Sequence, residues 1–258
     1  LYVASFRSDE ILRFDGATGA FLDVFAAGNG KPDGLNGPND LFFGPDGKLY
    51  WTMGEAYVPS LAQDRTSLSG KILRINPDGS IPPDNPFPNS PIYSLGHRNP
   101  QGLAWRPGGG QLYATEHGPS GGQGCCFDEL NLIEPGKNYG WPAIRGDETA
   151  PDMVPPVLHS GSATTWAPGG ATFVTRGPWQ GSLLFAGLRG QALYRVTFDP
   201  NAPRKVLGVE TLLQGQYGRL RDVAEGPDGA IYVLTSNRDG RGRPLPDDDR
   251  VLQLTVGM

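Results

Sequence analysis

The chain has 258 residues and a formal net charge of −5, from 22 Lys+Arg against 27 Asp+Glu. That length allows one large domain or two small ones. The two signs of charge are interspersed without a basic stripe, which argues against nucleic acid as a partner, and no apolar run approaches the ~20 residues of a membrane-spanning helix.

The 38 glycines and 25 prolines punctuate short apolar runs, the pattern of tight turns between strands. The first run, LYVASF, starts at Leu1 with no initiator Met or signal peptide ahead of it, so the chain reads as processed, trimmed or partial. A turn followed by a strand of the form apolar-Tyr-apolar-small then recurs. It appears as LYVAS at Leu1, GPDGKLYWT at Gly44, PGGGQLYAT at Pro107, GSLLFAG at Gly181 and GPDGAIYVL at Gly226. The aromatics Tyr2, Tyr50, Tyr113, Phe185 and Tyr232 align, and a second alternating strand follows each one. Alternation at period two marks half-buried strands. A strand quartet repeated every ~40–50 residues is the signature of propeller blades. Helical periodicity is confined to a turn around Ser60–Ser67.

These units predict an all-β fold: a β-propeller of four-stranded blades, with five blade-like units, running through residues 1–258 as a single domain. The first unit lacks an innermost strand and the last ends after its third. An intact propeller closes its ring, because open strand edges invite pairing. The ring is therefore either a closed five-bladed one or a larger one whose sixth blade went with the missing N-terminus, and the second reading is favoured. The intervals on either side of Tyr113 are the longest, which places long loops in the middle blades. Loops of that length are usually functional.

Those loops carry polar clusters among the strands. Gly96-His97-Arg98-Asn99-Pro100-Gln101-Gly102 lies between the runs PIYSL and GLAW. Arg98 there offers a planar fork of donors suited to a carboxylate or quinone oxygen, against the alternative of a local ion pair with Asn99 capping a turn. Glu116-His117-Gly118-Pro119 offers backbone carbonyls, hard ligands of the kind calcium accepts, or an ordinary turn after a strand. Asp128-Glu129 with Asn138-Tyr139-Gly140-Trp141-Pro142 reads as a carboxylate and a carbonyl for a second calcium, or as a capped turn beside an exposed acidic pair. In Gly218-Arg219-Leu220-Arg221-Asp222-Val223 the two arginines alternate onto one strand face, where like charges need an anion between them. Arg189 and the Trp166-Ala167-Pro168-Gly169-Gly170 string sit at further strand ends. Arg98, Arg189, Arg219 and Arg221 thus fall at the ends of different blades, and convergent cations imply a polyanionic ligand. Cys125 and Cys126 are adjacent; they are two free thiols or a vicinal disulfide stiffening the loop before Asp128, and too few ligands are present for a zinc site.

From about Leu49 onward the chain resembles the soluble quinoprotein glucose/sorbosone dehydrogenases, particularly the aldose sugar dehydrogenase branch. The resemblance is carried by SGKILRINPDGSIPPDNPF, GHRNPQGLAW, ATEHGP, DELNLIEPGKNYGWP and GRLRDVAEGPDGAIYVLTSN. It implies a six-bladed propeller binding pyrroloquinoline quinone (PQQ) over calcium, an aldose sugar substrate, an external electron acceptor, and a periplasmic or extracellular location. It further implies that Arg98 and Asn99 contact the quinone, that Arg189, Arg219 and Arg221 neutralise the cofactor carboxylates, that Gly118 and Pro119 supply carbonyls to the cofactor's calcium, and that Glu129 and the Tyr139 carbonyl hold a second calcium. The family's proton-accepting histidine stands in a His-x-Gly-x-Arg-Leu string. Here that stretch is Asn36-Gly37-Pro38-Asn39-Asp40-Leu41, with Asn36 at the histidine position and Asp40 at the arginine. Residues 1 to about 47 are similar instead to an NHL-like or gluconolactonase-like blade. Three readings follow: a PQQ- and calcium-dependent sugar dehydrogenase, a propeller that binds cofactor or calcium without turnover, and a lactonase-like calcium hydrolase. Specificity is expected from the loops Gly54–Ser69 and Gly146–Ala163.

Overall fold

A computed structural model describes residues 1–5, 8, 10–27 and 38–255. The described residues are all-β, with eighteen strands and three short 3₁₀ turns, at Pro59–Ala62, Gly121–Gln123 and Gly177–Trp179. The first of these is the turn expected near Ser60. The fold class is the β-propeller, built from five antiparallel up-and-down sheets. Sheet one has β1 (Tyr2–Ser5), β2 (Glu10–Phe14) and β3 (Phe21–Ala27). Sheet two has β4 (Pro38–Phe43), β5 (Leu49–Met53), β6 (Lys71–Ile75) and β7 (Ile92–Leu95). Sheet three has β8 (Pro100–Trp105), β9 (Leu112–Glu116), β10 (Glu129–Ile133) and β11 (Leu158–His159). Sheet four has β12 (Pro168–Phe173), β13 (Leu183–Gly187), β14 (Ala192–Phe198) and β15 (Val206–Leu212), and sheet five has β16 (Leu220–Glu225), β17 (Ile231–Thr235) and β18 (Val251–Leu254). Among the described residues the first and last sheets are three-stranded and the middle three are four-stranded, as the incomplete first and last repeats predict. The loop 146–163 differs from expectation in one respect: it supplies the edge strand β11, whose His159 pairs with Glu129.

The chain divides into two compact units. One comprises Leu1–Pro100 with Ile133–Pro155, the other Gln101–Leu132 with Pro156–Met258. In the first, the alternating residues of sheets one and two meet in a core of Ile11, Leu49, Trp51, Met53, Leu73, Ile75, Ile92 and Leu95. In the second, one core joins Tyr113, Leu130, Phe173, Phe185 and Val196, and another joins Leu184, Leu193, Leu220, Val223 and Val233. Of the repeated aromatics, Tyr50, Tyr113 and Phe185 are buried in these units.

The repeated turn is one piece of chemistry used three times. GPDG at 44–47 and 226–229, and NPDG at 76–79, each end on a glycine with φ between 72° and 85°, a left-handed conformation that a Cβ would strain. In each the aspartate Oδ1 accepts the N–H two residues on, at 3.1 Å for Lys48, 3.0 Å for Ser80 and 3.0 Å for Ala230. Asp46 and Asp228 also accept the hydroxyl of the tyrosine four residues on, at 3.1 and 3.3 Å. In sheet two Arg74 joins in, donating to Asp46 Oδ2 from Nε and Nη2 and to Asp84 from Nη1. Burial pushes the Tyr50 hydroxyl well above its ordinary range.

Because Asp46 serves Lys48, Tyr50 and the buried Arg74 together, Asp46→Ala should destabilise the chain by about 2–3 kcal/mol. The equivalent Asp228→Ala, on an exposed turn, should cost under about 1 kcal/mol. Urea unfolding midpoints of the two variants measure the difference.

Candidate functional site

In the first unit, two of the conspicuous strings are laced together. The chain leaves β7 at Leu95, which forms a parallel bridge with Asn138. Tyr139 N–H donates to Leu95 O at 2.8 Å and Trp141 N–H to Gly96 O at 2.9 Å. Gly96 has φ +78°, and a Cβ on it would collide with Asn138 Oδ1 and press on Gly140 N, so the close approach requires glycine. His97 is fully buried, its ring stacked on Tyr139 at 4.8 Å and its Nε2 2.8 Å from Ser94 Oγ. Arg98 is 2% exposed. Its guanidinium lies 6.0 Å from the Tyr57 ring centre and 5.9 Å from that of Trp141, cation–π distances. Trp141 Nε1 beside it is buried with no hydrogen-bond partner. Asn99 is also buried, and its Oδ1 accepts from Asn39 Nδ2 at 2.8 Å.

The loop between β5 and β6 braces this segment. Lys71 is fully buried, and its Nζ donates to the carbonyls of Leu61, Ala62 and Ser69 at 2.7, 3.0 and 2.7 Å. Burial lowers its ammonium to about 8, with Asp64 acting in the opposite direction. The same loop takes the N–H groups of Gly96 and His97 on the carbonyls of Ala62 and Gly70, and Glu55 N–H donates to Arg98 O at 2.8 Å. Gln63 reaches out to Trp141 O at 2.6 Å and exchanges two amide bonds with Asn138. The loop 54–69, from which specificity is expected, is ordered around a residue just beyond it: Lys71, one residue past a glycine in a strand of apolar neighbours, where a buried charge must find partners.

In the second unit, Gly118 and Pro119 are buried at the end of β9. Gly118 N–H donates to Asp128 Oδ1 at 2.9 Å, and a Cβ on Gly118 would collide with Cys126 O. Asp128 is 3% exposed, so the reading of an exposed acidic pair fails. Its Oδ2 accepts from Thr165 Oγ1 at 2.6 Å, Trp166 N–H at 2.6 Å and Ala167 N–H at 2.9 Å. This carboxylate organises two loops at once, and its depressed exposure had no signal in the sequence beyond its place before a strand. Cys125 and Cys126 are joined as a disulfide, which decides between the two readings left open above. Asn131 lies between two acids, its Nδ2 3.2 Å from both Glu116 Oε2 and Glu129 Oε2, while its buried Oδ1 has no partner. Among the described residues no three Asp, Glu, His or Cys side chains gather into a metal cluster. The oxygens present are a mixed set of carboxylate, amide and carbonyl, which is the kind calcium takes. Glu129 belongs to this second unit and Tyr139 to the first. His117 Nε2 lies 2.8 Å from Pro168 O, and as a carbonyl only accepts, that nitrogen carries the proton. His159 Nδ1 accepts from Gly161 N–H at 3.1 Å.

Of the other arginines, Arg219 and Arg221 do share a face, and the anion between them is the chain's own Asp239. Arg219 donates to Asp239 Oδ2 from Nε at 3.0 Å and Nη2 at 2.8 Å, and Arg221 Nη2 is 3.7 Å from the same oxygen. Arg219 is 9% exposed, whereas the Arg221 side chain is 43% exposed. Two guanidinium groups over one carboxylate leave a positive excess. Arg189 is exposed, its N–H donating to Trp166 O at 3.1 Å. Asp239, in the loop after β17, was missed because nothing local marks it. Asn36 lies outside the described residues.

The Glucose / Sorbosone dehydrogenase family matches residues 11–245, and the chain belongs to that family. The match runs back well past residue 47, through most of the stretch read above as similar to a different propeller. An aldose sugar dehydrogenase, YliI, from Escherichia coli is 34% identical over 219 residues, covering 78% of this chain and 57% of that protein. Quinoprotein glucose dehydrogenase B from Acinetobacter calcoaceticus is 30% identical, covering 82% of this chain and 60% of its own length. The PQQ-bound structure of the Streptomyces coelicolor aldose sugar dehydrogenase superimposes with a TM-score of 0.82 at 40% identity, covering 98% of this chain and 73% of that one. The chain thus spans under two thirds of the length of these curated relatives.

Lys71→Met keeps the volume but removes one donor from each of three carbonyls, and should destabilise the chain by about 2–4 kcal/mol. Because the folded-state value of Lys71 is depressed to about 8, the unfolded chain holds more protons above that pH. The stability of the unaltered chain relative to Lys71→Met should therefore rise with pH from about 8 to about 10.4, by at most about 1.4 kcal/mol per unit. Urea titrations across that range check the sign.

Proposed function

We propose that this chain is a PQQ- and calcium-dependent oxidoreductase acting on aldose sugars. The observation that carries the reading is Arg98: a guanidinium almost wholly removed from water, framed by Tyr57 and Trp141, next to an indole N–H with no partner. The indole N–H without a partner asks for an acceptor, a guanidinium beside it suits an anionic one, and PQQ, a tricarboxylate quinone, is both. Family membership and the PQQ-bound Streptomyces coelicolor relative support it.

The site residues carried from the sequence stand as proposals, residue by residue. Arg98 and Asn99 are assigned to the quinone oxygens; Arg189, Arg219 and Arg221 to cofactor carboxylates, with Asp239 already holding part of the charge of the last two. Calcium is assigned to the carbonyls of Gly118 and Pro119, and a second ion to Glu129 and the Tyr139 carbonyl. Bound PQQ would supply the two-electron redox chemistry that side chains lack. The chain's part is positional. Tyr57 and Trp141 keep water from the Arg98 guanidinium and so strengthen its pull on an oxygen, while Lys71, Gln63 and Asn138 hold the backbone that carries it. Asp128 holds the Gly118 backbone. A sugar substrate, an external electron acceptor and a periplasmic or extracellular location belong to the same proposal; among the described residues no helix is long and apolar enough to cross a membrane.

A second reading, binding without turnover, is favoured by the histidines. Asn36 stands at the family's histidine position, and a carboxamide is no base at neutral pH. His97 is enclosed and His117 is committed to Pro168 O.

Calorimetric titration of the calcium-loaded chain with PQQ, followed by a dye-linked aldose assay, separates the readings. Binding with turnover supports the dehydrogenase; binding without it supports the second reading; no binding removes both. Arg98→Ala should weaken PQQ binding at least about tenfold, and Glu129→Gln should lower calcium affinity. Where the unaltered chain binds without turnover, Asn36→His should raise the rate by about 10²–10⁴-fold.

A further inference from the structure

We propose that Asn39 is a positioning residue that sets the polarity of Asn99, so that Asn99 meets its ligand as a hydrogen-bond donor and selects an acceptor oxygen. The inference rests on the reading of Asn99 as a cofactor contact and adds to it a residue from β4 that the reading did not use.

The argument starts at a carbonyl. Asn39 Nδ2 donates to Pro100 O at 2.7 Å and to Asn99 Oδ1 at 2.8 Å. A carboxamide presents an acceptor at one end and two donors at the other, and coordinates alone rarely distinguish them. Here the chemistry decides. Pro100 O can only accept, so the end of Asn39 facing it is the NH₂ group. The same NH₂ faces the Asn99 carboxamide, so the end of Asn99 turned toward Asn39 is its oxygen. Asn99 Nδ2 therefore points the other way, and whatever it faces it faces as a donor. A quinone carbonyl or a carboxylate fits that polarity; a ligand offering only N–H or O–H hydrogens does not.

The backbone explains how Asn39 gets there. In the β4–β5 pairing Pro38 faces Met53 and Leu41 faces Trp51, so β4 carries one extra residue between the two pairs. Such a bulge re-aims a side chain out of the ladder's alternation. Asp40 N–H donates to Thr52 Oγ1 at 2.9 Å and anchors the bulge. Asn39 is half-buried and stands second in β4, sixty residues from the group it orients.

The test uses Asn39→Ala, Asn39→Asp, Asn99→Ala and the double Asn39→Ala/Asn99→Ala variant. Each is titrated calorimetrically with PQQ in the calcium-loaded state and separately with calcium, with thermal unfolding as a control. Asn39→Asp turns the donor into an acceptor, and should weaken PQQ binding about tenfold or more. Asn39→Ala only frees the Asn99 amide to turn, and should weaken it about threefold. Calcium affinity should not change, and the double variant should bind PQQ no more weakly than Asn99→Ala, because the two residues act in series. If Asn99→Ala weakens PQQ binding and both Asn39 variants bind like the unaltered chain, the inference is wrong while the site reading stands. If Asn99→Ala binds like the unaltered chain, the reading of Asn99 as a contact falls and takes the inference with it. Should Asn39→Asp fail to fold, Asn39→Ala and the double variant decide.

Discussion

A charge taken out of water has to be met by something, and in this chain most of what meets it is loop backbone. Lys71 is met by three carbonyls, Asp128 by three N–H groups and a hydroxyl counting that of Gly118, and Arg219 by Asp239. Desolvating an ion without such partners costs several kcal/mol, so each of these groups dictates one arrangement of the loops around it. The sheets supply the apolar cores, but the loops between them are ordered largely by ions they enclose. Arg98, just as deeply buried, lies within cation–π distance of two rings, those of Tyr57 and Trp141.

Much of the fold was legible because a blade is a local object. Period-two alternation and the GPDG turns announce strands and hairpins within a few residues of themselves, and the repeat of that unit announces the propeller. Even the three strands of the first and last sheets showed in the first and last repeats, which are each one strand short. Partnerships across sequence were not legible. GHRN and NYGWP read as separate motifs, and nothing in either announces that they are laced together; the Asp239 that joins Arg219 and Arg221 likewise has no mark in its own neighbourhood. The alternation of the two arginines did require an anion, and the requirement was met from within the chain. Lys71 was invisible for the opposite reason: in KILRI it looks like the solvated end of a strand, and only burial reveals its three bonds.

Family membership and geometry bear on different questions here. Membership speaks for the class of chemistry, while the arrangement of side chains speaks for how well this particular chain is equipped. On the proposed reading, an acceptor-rich anion is held in the first unit by Arg98, Asn99 and Trp141, which a braced backbone carries. The equipment for taking a proton is what Asn36 places in question, since the three histidines are each engaged elsewhere in stacking or hydrogen bonding.

The bond between Cys125 and Cys126 has a consequence for where such a chain keeps its shape. Those are its only two cysteines, and with both sulfurs tied to each other the protein carries no thiol to ligate a soft metal, attack an electrophile or cross-link to a neighbour. Bonds of this type last where glutathione and thioredoxin do not reach. A reducing medium would therefore open the collar pressed against Gly118 and leave a looser version of the same bend.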